Sequence, residues 1–140
     1  MRLWHKDLIP ILPDKQLIGQ WRECCLIAKN IKEKGTPNHI LVNKVMNYPI
    51  HHFIIYSFLV YKEMKNRGFR PNGMNFEKWL KFNESLIENK KSILFPNWHN
   101  YHYFLQCYYN LQEKYECGGI SEEEWNKIEE LFEVKLFDNI

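Results

Sequence analysis

The sequence has few of the residues that break or bend regular structure. It contains six glycines and six prolines among 140 residues, in no repeat or low-complexity tract. Disordered and collagen-like chains contain many more of these residues and fewer aromatic ones, which make up 16% of this chain. The composition therefore indicates an ordered globular protein. Its length suits one domain, since single cores of roughly 100–150 residues are the commonest size.

Long apolar runs and a disulfide framework are also missing. The longest strongly apolar run, from Phe53 to Tyr61, is shorter than the ~20 residues that a membrane-spanning helix needs. The opening residues MRLWHKD lack the apolar core of a signal peptide. The four cysteines form no C-x-x-C pair, and the adjacent Cys24 and Cys25 are poor partners for each other. We therefore expect a reduced, cytoplasmic protein that makes no contact with membranes.

Charge is divided unequally between the two halves of the chain. Residues 1–73 carry 12 Lys and Arg against 5 Asp and Glu, a balance of +7. Residues 74–140 carry 7 against 12, a balance of −5. A basic half is typical of proteins that bind a polyanion such as nucleic acid. The alternative is that the two halves attract each other within one fold, and charge alone does not decide between them.

Apolar residues recur at three- and four-residue steps, which predicts helices and no strands. The predicted helices cover residues 14–34, from Pro49 to about Arg67, 76–87, from Asn97 or Asn100 to Gly118, and an acidic stretch after Ser121. Residues 38–47 are ambiguous, and a short helix is favoured there over a strand. Residues 1–13 contain two prolines and are interpreted as an extended arm. The predicted fold is all-α: a compact single-domain helical bundle over residues 1–140 with an extended N-terminal arm.

Three local signals mark the ends of these helices. Asp14 is the expected N-cap of the first helix, because its carboxylate can accept hydrogen bonds from free N–H groups of the first turn. Gly35 is the expected C-cap. Ser121 and Glu124 have the spacing of a capping box, in which each side chain bonds the other residue's backbone N–H group.

The first predicted helix presents a row of cations. Lys15, Arg22 and Lys29 are seven residues apart, almost two turns, so they lie along one side. Such a row can neutralise phosphates of a nucleic-acid backbone, although a solvated helix face has the same pattern. Gly19 lies one turn before Glu23 and removes bulk there. Either a ligand or another segment of the chain can then approach the helix closely.

Residues 98–109 are rich in aromatic and histidine side chains. Such a segment can stack on unpaired bases, but an aromatic stripe at helical spacing is more often part of a core. His99 and His102 are one turn apart, as metal ligands often are. The sequence offers no second closely spaced pair to complete a site, so no metal is expected.

Two segments and the opening of the chain resemble one known family. The segment LPDKQLIGQWRE, residues 12–23, is similar to the first helix of the pyrimidine-dimer DNA glycosylase/AP-lyase family, whose pattern is L-x-D-Q-H-L-x-A-E-Y-R-E. The Leu, Asp, Leu, Arg and Glu positions coincide. Residues 65–69, KNRGF, resemble the family's L-K-R-G-F, and the opening MRLWH resembles a bacterial branch. The resemblance covers roughly residues 1–70, and the family's fold is also all-α.

The resemblance implies a DNA repair enzyme without a metal or organic cofactor. In the family, the α-amine of the first residue attacks C1′ of the damaged nucleotide and forms a Schiff base. A helical glutamate assists cleavage of the glycosyl bond and then the β-elimination that cuts the strand. By position, Met1 supplies the amine and Glu23 the carboxylate. An α-amine suits this role because its pKa, about 7.7–8.0, leaves more of it neutral than that of lysine, about 10.4.

The expected partner is double-stranded damaged DNA. The expected DNA contacts are Arg2, Lys15, Gln16, Arg22 and Lys29. Several positions depart from the family pattern: among them, Gln16 replaces a histidine, Trp21 replaces a tyrosine, Leu26 replaces a basic residue, and Arg2 replaces a small residue. Because a large second residue blocks removal of the initiating methionine, Met1 is expected to stay. Its amine would then lie one residue further out, up to ~3.5 Å.

These departures leave two other hypotheses open. One is a non-catalytic nucleic-acid-binding or protein-interaction module that kept the fold and lost the chemistry. The other is that the acidic last helix docks on a basic partner or on a second copy of the chain.

Overall fold

The computed structural model describes residues 1–90 and 92–140, apart from the side chain of Met74. Within these ranges all regular structure is helical, which confirms the predicted all-α fold. In chain order the elements are a 3-10 helix at Lys6–Ile11, α1 at Asp14–Lys34, a 3-10 helix at Asn43–Asn47, α2 at Ile50–Asn66, α3 at Met74–Phe82, α4 at Glu84–Asn89, α5 at Tyr101–Glu116 and α6 at Glu122–Asp138. None of the described helices is both long enough and apolar enough to cross a membrane.

The N-terminal arm is shorter than predicted. Only residues 1–5 are extended, because a 3-10 helix begins at Lys6. His5 starts this helix, since its Nδ1 accepts a hydrogen bond from the backbone N–H of Asp7 at 3.1 Å. Pro10 lies inside the helix, where its fixed φ is compatible with the helical turn. Pro10 is therefore part of a tight turn, whereas Pro13 precedes α1 in an extended conformation.

The signals for the ends of α1 were right at one end and wrong at the other. Gly35 adopts a φ of 74° and donates its N–H to the carbonyl of Ile31, as a C-cap does. Asp14 is not the N-cap, which is Pro13. The Asp14 carboxylate instead accepts a hydrogen bond from Arg67 Nη1 at 3.0 Å. An ion pair from another helix has taken the carboxylate that was expected to cap α1.

Asparagine side chains mark two further helix boundaries, and a capping box marks a third. The helix predicted over residues 76–87 is two helices, α3 and α4, which are separated at Asn83. The Asn83 side chain donates to the carbonyl of Trp79 at 2.9 Å, an example of an amide that competes with helical hydrogen bonds. Asn100 is the N-cap of α5 and accepts from the N–H of Tyr103 at 2.9 Å. Both bonds of the capping box at the start of α6 are present.

Arg67 fastens the end of α2 to the start of the chain. Its guanidinium donates to the Glu63 carboxylate at 2.8 Å and to the carbonyls of Leu12 at 2.6 Å and Pro10 at 3.1 Å. It is also the partner of Asp14. With its donors occupied by the protein, Arg67 has a structural role in the KNRGF segment.

A single apolar cluster joins the basic and acidic halves. Its buried residues extend from Leu3 in the arm to Ile128 in α6. Opposite charges also meet between the halves: Lys135 of α6 pairs with Asp7, and Lys62 of α2 lies 3.2 Å from Glu84 of α4. Of these two pairs, only Lys62–Glu84 joins a cation of the basic half to an anion of the acidic half, so the attraction that the charge pattern allowed is present between α2 and α4.

Candidate active site

The N-terminal arm returns to the middle of α1. The backbone N–H of Arg2 lies 3.4 Å from Oε2 of Glu23 and donates a hydrogen bond to it. Two residues later, the backbone N–H of Trp4 donates to Oε1 of Gln20 at 2.7 Å. The start of the chain is thus held beside the carboxylate of the first helix, 21 residues away in sequence.

The carbonyl groups of the arm are bonded as well. The Arg2 carbonyl accepts from Nε2 of Gln20 at 3.0 Å. The Leu3 carbonyl accepts from the hydroxyl of Tyr103, in α5, at 2.5 Å. The Trp4 carbonyl accepts from the hydroxyl of Tyr56, in α2, at 2.6 Å. Three helices therefore fix the backbone of residues 2–4, which leaves the arm little freedom of register.

Glu23 is half-buried, and one of its oxygens is already engaged. Oε2 accepts from the Arg2 amide and from Nε2 of Gln20, the latter at 3.3 Å. Within the described residues the other oxygen, Oε1, accepts no hydrogen bond. This arrangement fixes the direction of the carboxylate and leaves one oxygen to bind or remove a proton of a bound molecule.

Met1 is half-buried and packs against the core. In the part of the chain that the structure describes, its α-amine forms no ion pair with a carboxylate. The nitrogen bonded to Glu23 is the amide of Arg2, one residue along the chain. The α-amine of Met1 therefore lies one residue from the amide that contacts Glu23, and it makes no such contact itself.

The predicted cation row lies on the solvent side of α1. Lys15, Arg22 and Lys29 are all exposed. Leu26, on the same side, is 45% exposed and interrupts the positive charge. A surface with three unshielded cations at helical spacing can follow a phosphate backbone.

The other two predicted DNA contacts, Arg2 and Gln16, are less accessible than the cation row. The guanidinium of Arg2 lies over the ring of Trp4, 5.4 Å from its centroid, and its Nη1 is 3.9 Å from Sγ of Cys107. Gln16 is half-buried, and its Oε1 is buried with no partner among the described residues. Arg2 is thus held by the protein, and the Gln16 oxygen is closed to solvent.

Gly19 leaves open space one turn before Glu23. A Cβ atom built at this position would meet nothing within 4 Å outside its own helix. Of the two explanations that the sequence allowed, close packing of another chain segment is therefore excluded for the described residues. The space is accessible to a ligand that approaches Glu23.

A buried cluster of histidines supports the arm from behind. His5 stacks on His99 with ring centroids 5.3 Å apart, and its Nε2 is 3.0 Å from the His99 carbonyl. His99 Nδ1 accepts from the backbone N–H of Lys6 at 3.0 Å. Burial lowers the pKa of His5 to about 4 and the pKa of His99 well below its ordinary value. Both rings are therefore neutral near pH 7, and this part of the aromatic segment is core.

The described His, Cys, Asp and Glu residues do not come together in any group of three that could hold a metal ion. The cysteines give no alternative nucleophile at this site. Burial raises the pKa of Cys24 and of Cys107, so neither thiol is ionised near neutral pH.

Sequence reasoning missed three residues of the site: Gln20, Tyr56 and Tyr103. Gln20 could have been found, because it lies on the apolar stripe of α1, three residues after Leu17 and four before Cys24. A polar side chain on a buried stripe needs partners. Tyr56 and Tyr103 gave no such signal, since the chain segments that they hold are 52 and 100 residues away.

One comparison with known proteins identifies a family. A family model described as pyrimidine dimer DNA glycosylase matches residues 1–76, more than half of the 140-residue chain. The matched part contains the N-terminal arm, α1 and α2, and therefore Gln20, Glu23 and Tyr56. Neither a curated protein nor a solved structure matches the chain.

Proposed function

The chain belongs to the pyrimidine dimer DNA glycosylase family, and from this premise we propose that it is a DNA repair glycosylase with AP-lyase activity. Its substrate is double-stranded DNA that carries a pyrimidine dimer or a related lesion. The α-amine of Met1 is the nucleophile and Glu23 the catalytic carboxylate. The family predicted from the sequence motifs is confirmed, while the bacterial branch indicated by the MRLWH opening stays a prediction.

The proposed reaction needs groups of the chain, the DNA and one water molecule, which hydrolyses the Schiff base at the end and restores the amine. The neutral amine forms a bond to C1′ as the bond from C1′ to the base breaks, and the base leaves with the electron pair and takes up a proton. The nitrogen then gives up a proton, and its lone pair forms the C=N bond of the Schiff base as the C1′–O4′ bond breaks and O4′ takes up that proton. Glu23 removes a proton from C2′, whose electron pair forms a C2′–C3′ double bond as the 3′-phosphate leaves.

The observation that carries the proposal is the contact of 3.4 Å between the Arg2 amide and Glu23. It supports the mechanism because the first backbone atoms of the chain and a carboxylate with one free oxygen lie together. The open space at Gly19 supports approach of a nucleotide to the same point. Lys15, Gln16, Arg22 and Lys29 are proposed to contact the DNA, and Arg2 to do so from the arm.

The test is covalent trapping. Purified protein is incubated with a duplex oligonucleotide that carries one abasic site, and borohydride is added to reduce any Schiff base. The expected result is a covalent protein–DNA band whose linked peptide begins with Met1. Blocking the α-amine should abolish the band. A link to the α-amine of Arg2 in a chain that has lost Met1 would overturn the assignment of Met1 while leaving the amine mechanism in place.

The non-catalytic alternative predicts a different result. Under that hypothesis the protein binds the duplex, gives no covalent band and leaves the strand intact. Leu26 in the cation row is the observation that favours it. The two hypotheses are not separated by the salt dependence of binding, because a basic surface produces that dependence in both cases.

A further inference from the structure

We propose that Gln20 is a positioning residue: it holds the first residues of the chain in register with Glu23 and orients the Glu23 carboxylate. The proposal rests on the proposed function for the statement that Glu23 is catalytic. The juxtaposition that Gln20 creates can be measured without activity.

The hydrogen bonds of Gln20 fix the orientation of its amide. Oε1 accepts from the Trp4 N–H at 2.7 Å, and Nε2 donates to the Arg2 carbonyl at 3.0 Å and to Glu23 Oε2 at 3.3 Å. A flipped amide would place a donor against the Trp4 donor and an acceptor against two acceptors. Only one orientation satisfies the three contacts.

Gln20 also shares the hydroxyl of Tyr56 with the arm. The Tyr56 oxygen is 2.9 Å from Oε1 of Gln20 and 2.6 Å from the Trp4 carbonyl. A hydroxyl has one hydrogen, so it donates to one of these acceptors at a time. Gln20 is 1% exposed, and water cannot easily replace its contacts. The amide is thus the centre of a buried network that joins α1, α2 and the arm.

No other described side chain bonds both the arm and Glu23. Tyr56 and Tyr103 hold carbonyls of the arm, but neither donates to the carboxylate. If Gln20 is removed, the arm keeps those two bonds, and Glu23 keeps only the weak Arg2 contact at 3.4 Å. We therefore expect the arm to stay near its place and the alignment of amine and carboxylate to be lost.

Two variants separate the parts of this role. Gln20→Met keeps the length of the side chain and removes every hydrogen bond. Gln20→Asn keeps the amide but shortens the side chain by one methylene group, so it cannot reach the arm and Glu23 together and should fail to rescue activity. Tyr108→Phe is the control, because it removes a partly buried hydroxyl that bonds Glu129 between α5 and α6.

The first readout is kinetic. On a duplex with an abasic site, single-turnover β-elimination should fall about 10- to 100-fold in Gln20→Met and Gln20→Asn, the effect of losing one or two buried hydrogen bonds at the reacting groups. Affinity for the duplex should change by no more than about twofold, since the exposed cations are untouched. A loss of affinity without a loss of rate, or an equal loss of rate in Tyr108→Phe, would overturn the proposal.

The second readout is a double-mutant cycle. A residue that acts through Glu23 should have little further effect once Glu23 is absent, so Gln20→Met should change the residual rate of Glu23→Gln by less than about twofold. If the rate reductions of Gln20→Met and Glu23→Gln multiply in the double variant, Gln20 acts independently of Glu23 and the proposal is wrong.

The third readout is independent of activity. Amide hydrogen exchange at Trp4 should be slow in the wild type and about tenfold faster in Gln20→Met, with exchange in α5 and α6 unchanged. Unchanged exchange in the arm would overturn the proposal. A wild-type chain that cuts no DNA but shows this pattern would refute the proposed function and leave the positioning of the arm by Gln20 established.

Discussion

Residues 1–76, which match the family model, and residues 77–140, which lie beyond it, contribute to the N-terminal arm in different ways. The first part supplies the groups proposed to react, Met1 and Glu23, and the amide of Gln20 that joins them. The second part supplies contacts that hold the arm from the opposite side: Tyr103 bonds Leu3, and His99 bonds Lys6. A family can therefore be recognised from its reactive part while the support for that part lies outside the recognisable sequence.

The largest expected effect comes from removing the carboxylate of the first part. Glu23→Gln should lower β-elimination on abasic DNA by about 10²–10⁴-fold, the usual contribution of general acid–base catalysis. Thermal unfolding of Glu23→Gln should stay close to that of the wild type, because its amide oxygen can still accept from Arg2. Strand cutting at the wild-type rate would show that the first part does not carry the chemistry.

The next prediction tests the contact between the two parts through pH. The pKa of His5 is about 4 in the folded protein because of burial, against 6.5 when unfolded. The unfolded chain therefore binds more protons between pH 4 and 6.5, so stability is complete above 6.5 and falls as the pH is lowered to 4. For His5 alone the loss is about 3 kcal/mol. Burial also lowers the pKa of His99, which adds to the loss of stability as the pH falls.

This prediction is checked by denaturant unfolding between pH 7.5 and 4. The free energy of unfolding should decline through this range. A stability that stays level down to pH 4.5 would mean that His5 and His99 are not buried between the arm and α5 in solution.

A smaller effect is expected from a single support of the second part. Tyr103→Phe removes the hydroxyl that bonds the Leu3 carbonyl and leaves that carbonyl without its partner. The free energy of unfolding should fall by about 1–3 kcal/mol. Tyr109→Phe is the matched control, because Tyr109 is 55% exposed and its hydroxyl bonds no described residue. Equal stabilities of the two variants would remove Tyr103 from the support of the arm.

The same division explains what the sequence could predict. The glycine C-cap, the capping box and most of the helices depend on residues within a few positions of each other, and these predictions were confirmed. The single helix predicted over residues 76–87 was wrong, because α3 and α4 are separated at Asn83. The N-cap at Asp14 was wrong because Arg67, 53 positions away, takes its carboxylate. The extended arm was partly wrong because the bond from the Asp7 N–H to the His5 ring helps to start a 3-10 helix.

The candidate site shows the same limit. Glu23 was proposed from a motif within one helix, and the exposed cation row follows from spacing alone. The partners of the arm were not predictable, because Tyr56 and Tyr103 reach it only through the packing of α2 and α5. Gln20 lies between these cases. Its position on a buried stripe is visible in the sequence, but its four partners come from three segments of the chain.

The smallest expected effect comes from filling the space at Gly19 on α1. It changes the stability of the first part and its binding of DNA in opposite directions. Gly19→Ala should raise the free energy of unfolding by up to about 1 kcal/mol, because alanine is the better helix former and its Cβ meets nothing within 4 Å. Gly35→Ala is the contrasting control: at a φ of 74° the same substitution should lower stability. If a nucleotide fills the space beside Glu23, Gly19→Ala should also weaken binding of abasic DNA while Gly35→Ala does not. A stabilised Gly19→Ala protein with unchanged binding would mean that the DNA approaches Glu23 from another side.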